Sequence, residues 1–127
     1  MTQRHLTILT GASRGMGLAM AQQLLAEGHD LLCISRKPNE VLAAQAIAAG
    51  RACEQWPQDL ARGETAAARL QTWLQAQDAN SLASVTLINN AGLIPRIAPL
   101  DDIPADQLVE AMRVDLEAPM LLTAAFL

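Results

Sequence analysis

Leu6-Thr7-Ile8-Leu9-Thr10-Gly11-Ala12-Ser13-Arg14-Gly15-Met16-Gly17 is the stretch that decides the fold. A short apolar run enters a glycine-rich turn, and the turn opens a helix carrying Leu18, Ala21, Leu24 and Leu25 on one side. Strand, glycine turn and helix start, in that order, make the arrangement that holds a dinucleotide pyrophosphate against helix amides. Each glycine has its own task. Gly11 lets the chain leave the strand in a tight turn, and Gly15 removes the side chain that would block a phosphate. Gly17 lets the new helix pack closely on the strand. The spacing is G-x-x-x-G-x-G rather than the commoner G-x-G-x-x-G.

Working outward, strands and helices alternate along the chain. Gly28 closes the first helix. Leu31-Leu32-Cys33-Ile34 follows as a strand without polar alternation, as expected where helices cover both faces of a parallel sheet. Lys37-Pro38-Asn39 breaks the chain before a helix over residues 40–49 that stops at Gly50. A short third strand over 52–56 ends at Pro57, and a helix over 62–77 turns Ala67, Leu70 and Leu74 inward. The fourth strand spans 85–88. A long loop then reaches a helix entered near Pro104, with Asp106 in its first turn. This alternation predicts one α/β domain over 1–127, a Rossmann-type doubly wound parallel sheet with strand order 3-2-1-4.

Asn89-Asn90-Ala91-Gly92 follows the fourth strand. Together with Thr10-Gly11-x-x-x-Gly15-x-Gly17, this motif resembles the fingerprints of the short-chain dehydrogenases/reductases. The resemblance spans the whole chain. It implies hydride transfer between a nicotinamide cofactor and a carbonyl or alcohol carbon. Within the family, residues 86–122 look most like the bacterial sepiapterin reductase-like and benzil reductase group, which suggests a small ketone or diketone substrate. Acyl-carrier-protein ketoreductases share nearly all the same motifs.

The resemblance places Gly11, Ser13, Arg14, Gly15, Met16, Gly17, Ser35, Arg36, Asp59, Leu60, Asn90, Ala91 and Gly92 at the cofactor. Asp59 stands where the family bonds the adenine amino group, and Asn89 is expected to tie strand ends rather than touch ligand. After the second strand the chain reads Ser35-Arg36-Lys37, and the nearest acid, Asp30, lies at the strand's other end. A carboxylate beside the adenosine ribose favours NAD, whereas a guanidinium pairs with a 2′-phosphate. Arg36, with Arg14 in the glycine turn, therefore argues for NADP(H) over NAD(H).

The family's proton donor is a tyrosine in Tyr-x-x-x-Lys, helped by a serine, and this chain has no tyrosine. Its catalytic residues are thus reduced to one matching position, Asp115 in Val114-Asp115-Leu116-Glu117-Ala118-Pro119, where the family usually carries a relay asparagine. Pro119 has no N–H, so the Asp115 carbonyl loses its helical donor and is open to a water. The carboxylate adds negative charge there, which predicts slower turnover in a full-length parent.

The chain ends in the apolar run Met120–Leu127, and the sheet is expected to be truncated before the family's remaining strands. This reads as the front half of a longer enzyme. A short form that binds NADP or pairs with a partner subunit, and a chain that does not fold alone, are the other readings. Pairing would make a homo-oligomer through the last helix. A net charge of −4 leaves no basic footprint for nucleic acid. No apolar run approaches the ~20 residues that span a bilayer, and the first strand begins too early to leave room for a secretory signal, so a cytoplasmic place is expected. Cys33 and Cys53 read as reduced, buried thiols, His5 and His29 as ordinary surface histidines, and no metal site is expected.

Overall fold

Strands β1 (Arg4–Thr10), β2 (His29–Ser35), β3 (Cys53–Pro57) and β4 (Leu82–Ile88) form one parallel sheet in the order β3-β2-β1-β4. The computed structural model describes residues 3–127. These divide into two compact units, one running to Gln58 and joined by Ala76–Asn90, the other made of Asp59–Gln75 and Ala91–Leu127.

The first unit holds the sheet with α1 (Gly15–Ala26) and α2 (Glu40–Ala49). In β2 every residue from Asp30 to Ser35 is buried, so both faces of the strand are covered, as its unbroken apolar sequence requires. On one face Leu9, Leu31 and Cys33 pack with Ala21 and Leu25 of α1 and with Leu42 and Ala46 of α2. Gly28 and Gly50 follow the two helices in the left-handed region, at φ +88° and +68°. Asn39 caps α2, its side chain accepting the Leu42 N–H at 2.9 Å.

At the N-terminal end of the sheet, Asp30 joins three strands. It is 7% exposed and accepts from Arg4 Nη1 at 3.2 Å and from the Ala52 backbone N–H at 3.0 Å. Arg4 also donates to Gln77 Oε1 at 3.0 Å. The register pairs Leu31 with Cys53, which puts Cys33 two residues along on the same face. The two thiols share a hydrogen bond that sequence distance concealed. That bond, with burial adding to it, holds the Cys33 thiol well above the usual thiol range. The same bond lowers Cys53.

The second unit consists of α3 (Gly63–Gln75), α4 (Ala105–Met112) and α5 (Ala118–Phe126), with one π-type turn, Arg113–Glu117, joining α4 to α5. Gly63 sets how α3 meets α5, since a Cβ there would stand 3.1 Å from the Ala118 Cα. That contact fixes Gly63, Ala66 and Leu70 as the buried face of α3. Ala67 and Leu74, expected to face inward with Leu70, are only half-buried. β4 begins at Leu82, earlier than its apolar run suggests, because pairing with β1 extends through His5↔Ser84.

Asp30→Ala would leave the Ala52 N–H and the Arg4 guanidinium without their shared acceptor. A loss of about 1–3 kcal/mol is expected, read as a lower urea midpoint. An unchanged midpoint would show that Asp30 does not join the strands energetically.

Candidate functional site

The glycine turn is held from three sides within the first unit. Gly11 N–H donates to the Ile34 carbonyl at 2.9 Å, and Ala12 N–H to Ser35 Oγ at 2.9 Å. Asn39 Nδ2 donates to the Ser13 carbonyl at 2.9 Å. From just beyond β4, Asn90 donates through Nδ2 to the carbonyls of Thr10 and Gly11, each at 3.2 Å, and through its backbone N–H to Thr10 Oγ1 at 3.0 Å.

Gly11 and Gly15 adopt φ +71° and +58°, a region that L side chains rarely occupy. A Cβ on Gly17 would overlap the Gly11 carbonyl oxygen and stand 2.5 Å from Asn90 Nδ2. A Cβ on Gly15 would meet nothing within 4 Å. Gly11 and Gly15 thus shape the turn, a conformational task for Gly15 beyond the cleared space expected of it, and Gly17 lets α1 approach the turn.

α1 begins with Arg14 extended and making no side-chain cap, and no acid stands in its first turn. Its first amides therefore lack a side-chain acceptor and open onto the space beside Gly15. An uncapped helix start bordered by a glycine with open space fits the pyrophosphate of a dinucleotide. Met16 and Arg14 are exposed at this edge, and Ser13 is half-buried with its carbonyl engaged by Asn39.

Ser35 ends β2, and Arg36 and Asn39 lie on the loop that leaves it. Ser35 is buried and its hydroxyl supports the glycine turn through Ala12. Arg36 and Lys37 are exposed. Gln55 clamps the loop's end, accepting from Asn39 N at 2.7 Å and donating from Nε2 to the Asn39 carbonyl at 2.9 Å. Asp30 is committed to Arg4 and Ala52 at the opposite end of β2.

In the second unit, Asp59 Oδ1 accepts from Ala61 N–H at 2.9 Å, shaping the entry to α3, and Leu60 is buried. Ala91 is half-buried and Gly92 exposed. Asp115 Oδ1 accepts from Leu93 N–H at 2.7 Å, and a Cβ on Gly92 would stand 3.7 Å from that oxygen. A carboxylate thus makes here the backbone bond that an amide oxygen would make, and as a charged acceptor makes it more strongly. Asp115 sits in the π-type turn, a distortion frequent at functional sites, and Pro119 follows at the start of α5, where a missing N–H is tolerated.

Asn90 ties the ends of β1 and β4, the task expected of Asn89, and Ser35 supports the turn through its hydroxyl. The clamp by Gln55 had no sequence signal, since only the β2–β3 register brings it to Asn39. Among the described residues, no group of three or more His, Cys, Asp or Glu side chains could hold a metal.

The short-chain dehydrogenase family model matches residues 5–127. The chain belongs to that family. Short-chain dehydrogenases are oxidoreductases that bind a nicotinamide cofactor. Benzil reductase ((S)-benzoin forming) of Bacillus subtilis (strain 168) is 34% identical over 122 residues, covering 96% of this chain and 47% of the relative. A metagenomic short-chain oxidoreductase in complex with NADP superposes with TM-score 0.83 at 28% identity, over 98% of this chain and 55% of the other. The 3-oxoacyl-[acyl-carrier protein] reductase of Brucella melitensis, in complex with NAD, gives TM-score 0.80 at 27% identity, over 98% and 48%. The chain spans about half the length of these relatives.

The two helix-proximal glycines should separate by mutation. Gly17→Ala forces α1 off the turn and is expected to cost about 1–3 kcal/mol, as overpacked sites do. Gly15→Ala meets no atom and carries only the strain of positive φ, about 1–2 kcal/mol, without displacing α1. Thermal melts with an α1 hydrogen-exchange readout check this: faster exchange along α1 is expected in Gly17→Ala alone, and equal exchange in the two variants would contradict it.

Proposed function

We propose that these residues form the nucleotide-binding part of an NADP(H)-dependent oxidoreductase acting on a small carbonyl compound or its alcohol. The observation that carries this reading is the exposed Arg36 on a loop tied to the glycine turn, with Asp30 held away at the far end of β2. The cofactor supplies the hydride acceptor or donor when bound. Gly11, Gly15 and Gly17 leave room for its pyrophosphate, and the first amides of α1 bond it. Arg36 pairs with the 2′-phosphate, and Arg14 and Ser13 border the phosphates with Met16. Asp59 and Leu60 serve the adenine end; Ala91 and Gly92, small residues, lie along the ribose. Asp115 holds Leu93 and stands in the place of the relay asparagine.

The similarity to benzil reductase supports a ketone or diketone as substrate. With no tyrosine in the chain, the 127 residues alone are expected to bind cofactor without turnover. A second reading, a subunit-pairing form, is favoured by one observation: Val109, Met112, Leu116 and Met120 are exposed at helical spacing along α4 and α5. A second copy of the chain is the partner we assign to that stripe, since one apolar face repeated by a two-fold axis is self-complementary. Among the described residues no helix is long and apolar enough to cross a membrane. Two free cysteines fit a cytoplasmic place, and a net charge of −4 does not favour nucleic acid as a partner.

Calorimetric titration of NADP+ and NAD+ into the chain and its Arg36→Ala variant tests the reading. Loss of a charge-assisted pair predicts NADP+ binding weakened roughly tenfold to hundredfold, with NAD+ binding unchanged. Equal weakening of both, or no effect on either, would contradict the assignment of Arg36.

A further inference from the structure

Arg36, Lys37 and Pro38 are exposed and stand between two anchored residues. Ser35 anchors one end: it is buried, its Oγ accepts the Ala12 N–H, and its carbonyl accepts the Gln58 N–H at 2.8 Å. Asn39 anchors the other end, and each of its polar groups is engaged. Its backbone N–H donates to Gln55 Oε1 at 2.7 Å. Its carbonyl accepts from Gln55 Nε2 at 2.9 Å and from the Ala43 N–H at 3.2 Å. Its side chain accepts the Leu42 N–H and donates to the Ser13 carbonyl, each at 2.9 Å.

Gln55 belongs to β3, where the register pairs it with Cys33, two residues before Ser35. A primary amide carries both a donor and an acceptor. Here it spends one on each backbone group of Asn39, so it fixes the orientation of that residue as well as its position. Between the two anchors the chain has little freedom left. Pro38 holds its own φ, and the ring keeps Lys37 in extended backbone. A segment without these ties would have to be ordered when a ligand binds it, at a cost in affinity.

We propose that Gln55 is a positioning residue for nucleotide discrimination: by fixing Asn39 it holds the Arg36 segment in one conformation for a 2′-phosphate. The preference for NADP(H) over NAD(H) then depends on a neutral side chain of the neighbouring strand as well as on the guanidinium. The inference rests on the assignment of Arg36 to that phosphate. NAD(H) has no 2′-phosphate, so its binding does not draw on where Arg36 stands.

Calorimetric titration of NADP+ and NAD+ into Gln55→Met, Gln55→Asn, Arg36→Ala and the combination of Gln55→Met with Arg36→Ala tests this. Met keeps the length of the side chain without either bond, and Asn carries the same amide on a stem one carbon shorter. Each Gln55 variant is expected to bind NADP+ about threefold to tenfold more weakly, the ordering cost of a loosened segment, with NAD+ binding unchanged. Gln55→Met should add nothing to the loss caused by Arg36→Ala, because the group it positions is gone. Hydrogen exchange at the Asn39 amide of the cofactor-free variants should be faster than in the wild type. Equal weakening of both cofactors, or losses that add in the combined variant, would make Gln55 a purely structural residue and overturn the proposal. Unchanged NADP+ binding in the Gln55 variants, with Arg36→Ala weakened, would overturn it and leave the assignment of Arg36 standing. Arg36→Ala without effect on NADP+ would remove that assignment and this inference with it. Gln55→Asn decides the matter if Gln55→Met folds poorly.

Discussion

The carbonyl of Gly11 is gripped between two elements that come from opposite ends of the first unit. Asn90, just beyond β4, donates its amide to this oxygen and to that of Thr10. From the other side α1 crosses so closely at Gly17 that any Cβ would overlap the same oxygen. A backbone carbonyl cannot be moved without turning its peptide plane, so the turn has one way to sit. Its direction then aims the first amides of α1 into open space beside Gly15. The remaining bonds of the region follow from that fixed geometry. Ser35 reaches Ala12, Asn39 reaches Ser13, and Gln55 holds Asn39 from the next strand.

The loop that bears Arg36 is consequently anchored at its start and at its end, while its guanidinium stays exposed. An anchored loop places a charge with little ordering cost when a phosphate arrives. In the second unit the same economy of design recurs around Asp115. A distorted helical turn presents a carboxylate whose oxygen fixes the backbone at Leu93, just after the Asn-Asn-Ala-Gly motif. The carboxylate thus brings charge beside that motif while orienting the segment's backbone.

Local patterns carried much of this into the sequence. The glycine spacing, the unbroken apolar β2 and the helix stops at Gly28 and Gly50 were legible because each depends on residues close together in the chain. What stayed hidden depends on register between strands. Nothing in the sequence aligns His5 with His29, Cys33 with Cys53, or Gln55 with Asn39, since a shift of one residue would undo every pair. The inward face of α3 was misplaced for a related reason. Its rotation is fixed by the contact of Gly63 with Ala118, across more than fifty intervening positions, and not by its own apolar period. That Asn90 ties β1 to β4 was hidden because two identical neighbouring residues differ only in where the chain points them.

Backbone amide NMR of the chain titrated with NADP+ tests the central claim most directly. The account predicts the largest shifts at Gly15, Met16 and Gly17, the first amides of α1. Saturation by NADP+ with shifts confined to other parts of the chain, or with none at these three residues, would contradict it.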